Sequence, residues 1–321
     1  MSNTNDDHLV VVEALTRHYG NLCAVDNVSF SLSKGEVLGF LGPNGAGKST
    51  TMQMLCGALA PSAGRITINS IDLLEQPRQA KQAIGFLPEQ PPLYFEFTVN
   101  EYLYYCAQLR NIGKAKRAAA IDTVKQRCGL TDVGKRLIGN LSKGFQQRIG
   151  IAQAIIHSPP VVILDEPTIG LDPIQIREIR ELIKTLGKDH SVILSTHILP
   201  EVQISCSRVL IINRGKLVFS DSIAHLNQQQ QASSLILQLQ HPPPLAQLES
   251  IAGVNDIETL STQRFRIHYH AEQSPASMIA QAAVGQQWGL QQLTPETRSL
   301  EQIFIELTIN EAATPTTGEA A

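Results

Sequence analysis

The chain has 321 residues, 43 % hydrophobic and 17 % charged, which excludes a mostly disordered polypeptide and leaves room for one large domain and one small one. A formal net charge of −3 excludes a strong overall field toward nucleic acid or anionic lipid. Five cysteines, Cys23, Cys56, Cys106, Cys128 and Cys206, form no CxxC pair and are odd in number, so they read as reduced thiols rather than a disulfide framework.

In chain order, residues 1–8 are polar and acidic and read as a disordered N-terminus without the basic and apolar regions of a signal peptide. Residues 9–13 and 24–32 read as short strands, and Lys34-Gly35 as a turn. Val37–Leu41 is a continuous apolar run, the pattern of a strand buried on both faces. A glycine-rich stretch follows, and Thr51–Ala60 reads as a helix closed by Pro61 and Gly64. Residues 98–158 hold several helical patterns broken by glycines. Val161–Asp165 is a second apolar strand, residues 174–187 an amphipathic helix, and Ser191–Ser195 a third buried strand. Strands alternating with helices predict an α/β domain with a parallel sheet over residues 9–227. No stretch approaches the ~20 apolar residues that span a bilayer, so a membrane process would need a second chain.

The composition changes at residues 228–233, where four glutamines from Gln228 read as a linker. Beyond it, residues 234–310 follow the order strand, helix, strand, strand, helix, strand, with a last helix at 299–308. That order predicts a small α+β domain resembling a split βαβ, ferredoxin-like unit. Residues 311–321 read as a disordered tail. No motif in this region carries chemistry: His241, His268 and His270 lack metal-ligand spacing. It reads as a structural cap or as a regulatory or dimerising domain.

The glycine-rich stretch is Gly42-Pro43-Asn44-Gly45-Ala46-Gly47-Lys48-Ser49-Thr50, a match to the Walker A pattern in its strand–loop–helix setting. Glycines let backbone N–H groups turn inward around a phosphate chain, and the helix presents its positive end there. Lys48 is expected to reach the β- and γ-phosphates and Ser49 to ligate Mg²⁺. The second strand ends in Asp165-Glu166, the Walker B arrangement, with Asp165 expected to hold Mg²⁺ and Glu166 to polarise the attacking water. No NKxD guanine-reading motif is present, which argues against a GTPase.

A third motif discriminates further. Leu141-Ser142-Lys143-Gly144-Phe145-Gln146-Gln147-Arg148 is, taken alone, an ordinary N-capped helix start. Between the two Walker motifs, it resembles the signature sequence of the ATP-binding cassette (ABC) family in the LSKG form of type-2 exporters. Tyr19 is similar to that family's adenine-stacking aromatic, Gly170-Leu171-Asp172 to its D-loop, and His197 to its switch histidine. The family's Mg²⁺-sensing glutamine has no clear counterpart: Glu89 aligns best, with Gln90 next to it. The resemblance covers residues 9–225; Ser299–Thr308 adds a weaker match to the end of many such exporter ATPases.

The resemblance implies an ATPase that uses ATP and Mg²⁺, with Lys48, Glu166 and His197 catalytic and Ser49, Asp165 and Gln90 or Glu89 at the metal. It also implies that Tyr19, the loop from Gly42 to Thr50, Ser142, Gly144 and Asp172 bind nucleotide, Ser142 and Gly144 acting across a head-to-tail dimer. The implied partners are a second copy of this or a similar subunit and a polytopic membrane permease, with no nucleic acid. The implied location is peripheral, on the cytoplasmic face of the membrane. Non-transport members of the family, such as translation or repair factors, carry two cassettes or a long coiled-coil insertion; this chain has one cassette and no long heptad run.

Overall fold

The structure is a computed structural model and describes residues 8–228, 234–269 and 274–296. The N-terminus before His8, most of the glutamine linker, His270, the helix expected at 299–308 and the tail at 311–321 lie outside the described residues. The chain divides into two compact units between Ile223 and Ala224.

In the first unit, β1 (His8–Tyr19) and β2 (Leu22–Ser33) form a long antiparallel hairpin. Strand β1 runs well beyond the expected 9–13, whereas β2 lies close to the expected 24–32. His8 opens β1 rather than belonging to a disordered end, and Gly20, with φ of +58°, turns the tip. Alternation of buried Val10 and Val12 with half-buried Leu9 and Val11 and exposed Glu13 fits a sheet with one more solvated face. Strand β3 (Val37–Leu41) follows, then α1 (Lys48–Leu55). The helix starts at Lys48, earlier than the expected Thr51, and ends before Gly57, whose φ of +67° stops it short of Ala60. Next come β4 (Ala63–Ile68), β5 (Ile71–Asp72), α2 (Pro77–Gln82) and β6 (Ile84–Leu87).

Three helices then form one lobe: α3 (Val99–Leu109), α4 (Lys114–Cys128) and α5 (Lys143–Ile155). Thr98 and Glu101 build a reciprocal capping box at the start of α3, and Gly129 ends α4 in the left-handed region. Leu103, Ile138, Ile149 and Ile151 bury their side chains in its core. The chain returns through β7 (Val161–Asp165), α6 (Pro173–Leu186), β8 (Ser191–Thr196), α7 (Leu199–Ser205), β9 (Arg208–Asn213) and β10 (Lys216–Ser222), and α8 (Ile223–Gln228) starts at the boundary and continues into the second unit.

The main sheet has the order β10-β9-β3-β8-β7-β6, parallel except for β10. Every residue of β7 and β8 is buried, as unbroken apolar runs require in a sheet covered on both faces. A second, antiparallel sheet has the order β2-β1-β4-β5. The consequence for function is register. Leu41 of β3 pairs with Thr196 of β8, and Asp165 of β7 pairs with Ser195. The carboxyl ends of three neighbouring strands therefore stop at one level, the place where open α/β sheets bind ligands.

The second unit contains β11 (Ser234–Leu239), α9 (Leu245–Glu249), β12 (Asp256–Ser261), β13 (Arg264–His268), α10 (Ala276–Gly285) and β14 (Leu290–Glu296). Its sheet order is β12-β13-β11-β14, antiparallel throughout. With two crossover helices, this is the split βαβ arrangement. Leu235, Leu237, Phe265, Ile267, Ile279 and Trp288 form its core.

Candidate functional site

The site begins where β3 runs into the glycine loop. Two glycines there are demanded by packing. A Cβ on Gly42 would meet the Ile212 carbonyl oxygen at 2.4 Å, and one on Gly47, whose φ is +107°, would meet that of Ala24 at 2.5 Å. The loop is pressed onto neighbouring backbone, and α1 opens directly from it at Lys48, placing a helix N-terminus against it.

Lys48 is buried, and its ammonium donates to the carbonyls of Gly42 (2.9 Å) and Pro43 (3.3 Å). It lies 3.4 Å from Glu166 Oε1. The positive group is thus held from two sides, by its own loop and by the end of β7. Glu166 is 4 % exposed and has φ of +49°, a left-handed conformation unusual for a side chain of its kind. Its N–H donates to the Ser195 carbonyl at 2.9 Å, and its Oε2 lies 2.9 Å from His197 Nδ1. Backbone strain of this sort is kept where a side chain must be aimed. Glu166 therefore stands between Lys48 and His197.

Asp165 is buried next to it. Burial pushes its carboxyl above the usual carboxylate range, against the opposing pull of the Ser195 and Ser49 hydroxyls. Oδ1 has no hydrogen-bond partner. A buried carboxylate oxygen left unsatisfied carries a desolvation cost that a ligand would remove.

Lys48, Glu166 and His197 line a cleft of about 450 Å³ with Tyr19, Leu22, Ala24, Asn44, Gly45, Gly47, Ser49, Thr50, Glu89 and Ile169; Asp165 lies behind this lining, next to Glu166 in the chain. Tyr19 sits at the end of β1, 44 % exposed, with the Arg17 guanidinium 4.7 Å above its ring. This cation–π contact holds an otherwise free aromatic face in place.

Over residues 25–169 the chain matches the family model described as ABC transporter. It is 34 % identical over 306 residues to the bacitracin transport ATP-binding protein BcrA of Bacillus licheniformis, covering 91 % of this chain and 95 % of that one. The chain belongs to the ABC transporter ATP-binding family. It is 34 % identical over 310 residues to the linearmycin resistance ATP-binding protein LnrL of Bacillus subtilis, with 94 % and 98 % of the two chains covered. Among solved structures it resembles cbiO1 from Clostridium perfringens, part of the ABC transporter complex cbiONQ. The TM-score there is 0.64 at 27 % identity, over 69 % of this chain and 91 % of that one. The protein is an ABC cassette that binds and hydrolyses ATP as the nucleotide subunit of a transporter.

The cleft gathers the catalytic candidates Lys48, Glu166 and His197 of this cassette and leaves others elsewhere. Of the two neighbours expected at the metal, Glu89 lines the cleft and Gln90 does not. Asp172 is also outside it. Its carboxylate accepts from the N–H groups of Ile174 (3.0 Å) and Gln175 (2.9 Å) and so caps α6. Ser142 and Gly144 open α5 on the helical lobe, outside the cleft. Ser142 occupies the N-cap position, yet its hydroxyl makes no capping hydrogen bond. Sequence reasoning missed the cleft walls Leu22, Ala24 and Ile169. The first two follow Tyr19 across the hairpin tip, so an aromatic placed before a short turn was the available signal. No helix among the described residues is long and apolar enough to cross a membrane.

Proposed function

We propose that this cassette drives an exporter by closing head-to-tail on a second copy, or on a similar subunit, with ATP between the two. The observation that carries this reading is Ser142. It is an exposed hydroxyl at a helix N-terminus, uncommitted to its own helix and outside the cleft that holds Lys48 and Glu166. A serine hydroxyl and free N–H groups at a helix start suit a phosphate. One copy would supply Gly42 to Thr50, Asp165, Glu166 and His197, and the other Ser142 and Gly144. Asp172, tied into the cap of α6, belongs in this reading to the segment that meets the partner rather than to the nucleotide directly.

Within a closed half-site, the loop N–H groups and Lys48 bind the β- and γ-phosphates, and Tyr19 stacks on the adenine. Glu166 orients the attacking water and accepts its proton, while His197 contacts the γ-phosphate and fixes Glu166 from the far side. The Mg²⁺ that such chemistry implies fits the residues present: the unpartnered Oδ1 of Asp165 and the neighbouring Ser49 hydroxyl are oxygen donors. We assign the third position to Glu89, because it faces the cleft. When bound, the ion would offset phosphate charge during transfer.

ATP binding favours closure because each γ-phosphate bridges the two copies; its loss favours opening. We assign this stroke to a polytopic membrane permease, with the cassette peripheral on the cytoplasmic face. Support comes from relatives named for bacitracin transport and linearmycin resistance and from the lack of any spanning helix among the described residues. The test is small-angle scattering and crosslinking of the full chain with and without Mg-ATP, alone and with the membrane protein that co-purifies with it. ATP-dependent pairing is expected; its absence in both settings overturns the proposal.

A further inference from the structure

Glu201, in the first turn of α7, is 1 % exposed and uses both carboxylate oxygens. Oε1 accepts from the Thr168 hydroxyl and lies 3.7 Å from the Arg180 guanidinium of α6. Oε2 accepts from the Thr196 hydroxyl at 2.8 Å. Thr168 follows Glu166 by two residues, and Thr196 immediately precedes His197. The Thr196 hydroxyl in turn accepts from the Ile198 N–H at 3.1 Å, so the residues on either side of His197 are pinned by one oxygen. We infer that Glu201 is a positioning residue for hydrolysis, locking the Glu166 and His197 segments into one geometry.

Two physical points favour this over a purely structural cross-link. A carboxylate taken fully out of water costs several kcal/mol unless paired and hydrogen-bonded, and apolar residues of the same volume often stabilise a fold as well or better. Burying Glu201 is therefore a poor way to add stability. Its hydrogen bonds are directional, however, and accepting two hydroxyls at once fixes the two segments relative to each other. That relative position sets the 2.9 Å contact between Glu166 and His197, and a catalytic geometry displaced by ~1 Å loses rate steeply. Glu166 reaches the site in a strained left-handed conformation, which persists only when its surroundings over-determine it.

The inference rests on the hydrolytic roles proposed above for Glu166 and His197. The test uses the full chain carrying Glu201→Gln, Thr196→Val, Thr168→Val and each valine combined with Glu201→Gln. Glu201→Gln is expected to lower kcat about tenfold or more while leaving KM for ATP and the Kd for a fluorescent ATP analogue within about twofold. Its thermal midpoint should stay near that of the unsubstituted protein. Each valine variant alone should lower kcat by a smaller factor. Neither should add its full effect on top of Glu201→Gln, because the three groups act as one unit. A kcat unchanged in Glu201→Gln overturns the inference, as does a parallel fall in kcat, affinity and thermal midpoint. If Glu201→Gln does not fold, the valine variants decide: unchanged kcat in both overturns it, and a kcat loss at constant KM sustains it. An unsubstituted protein that neither pairs nor hydrolyses ATP would instead remove the proposed function beneath it.

Discussion

At the ends of β3, β7 and β8 the cassette buries Lys48, Asp165 and Glu166 side by side and leaves one oxygen of Asp165 without a partner. On the sheet of the second unit, Arg266 lies near the surface between two carboxylates. It is bidentate to Glu296 at 2.6 and 3.0 Å and 2.5 Å from Glu258. Glu296 also accepts from the Ser234 hydroxyl. One region holds charge under strain; the other neutralises it. Stability alone favours the second solution, since unpaired buried polar groups cost free energy. The first is retained where a ligand completes the bonding. On this contrast the cleft keeps an oxygen for a ligand to complete, whereas Arg266 and its two carboxylates complete one another.

The sharpest way to break the comparison is Glu166→Gln. The amide keeps the side chain's size but does not serve as a base. Turnover should fall about 10²-fold or more, with ATP binding retained and the nucleotide-bound pair long-lived in size-exclusion chromatography. Rapid hydrolysis by this variant would place the base elsewhere. Next is Ser142→Arg, which sets a bulky cation at the exposed start of α5. Hydrolysis should drop about tenfold or more, as expected when a phosphate-stabilising group is lost. A fluorescent-ATP titration should still show binding to the single chain. An unaltered rate would mean that the signature helix does not reach the nucleotide.

How much of this was legible in the sequence depends on whether the information is local. Gly42 to Thr50 and Asp165-Glu166 are contiguous strings whose strand and helix context shows in the hydrophobic pattern, so the heart of the cleft could be written down at once. The glycine requirement at Gly42 depends on the backbone of Ile212, which no short window contains. Whether Glu89 or Gln90 lines the cleft depends on which way the loop after β6 faces. Glu201 carries no motif of its own; its placement depends on Thr168, from a separate stretch of the chain, reaching the same carboxylate as the nearby Thr196. In the second unit the element order was readable, yet the ladder β12-β13-β11-β14 depends on pairings between strands that are not neighbours in the chain.

A third prediction sharpens the contrast by separating stability from function. Burial raises the Asp165 carboxyl above its ordinary value, so the folded protein takes up a proton more readily than the unfolded chain. Its contribution therefore opposes folding increasingly as pH rises through the folded-state value from the ordinary carboxylate range. Asp165→Asn should raise the thermal midpoint of the nucleotide-free protein at neutral pH by a few degrees, while Mg²⁺-dependent hydrolysis falls. Calorimetry at pH 7 checks the first part and phosphate release the second. A lower midpoint would show that the Ser195 and Ser49 hydroxyls already compensate the charge.

The smallest effect is expected at Arg266→Ala. Paired with Arg266, Glu296 holds its carboxyl below the usual carboxylate range. The pair therefore stabilises the second unit at neutral pH, and the contribution disappears only as pH falls through that lowered value. Because the groups stand near the surface, solvent screens most of the attraction. The variant should shift the thermal midpoint by no more than a few degrees, with hydrolysis by the cassette unchanged, and the shift should shrink in high salt. A clear loss of ATPase activity would give the second unit a hold on the cleft that a self-neutralising sheet has no reason to exert.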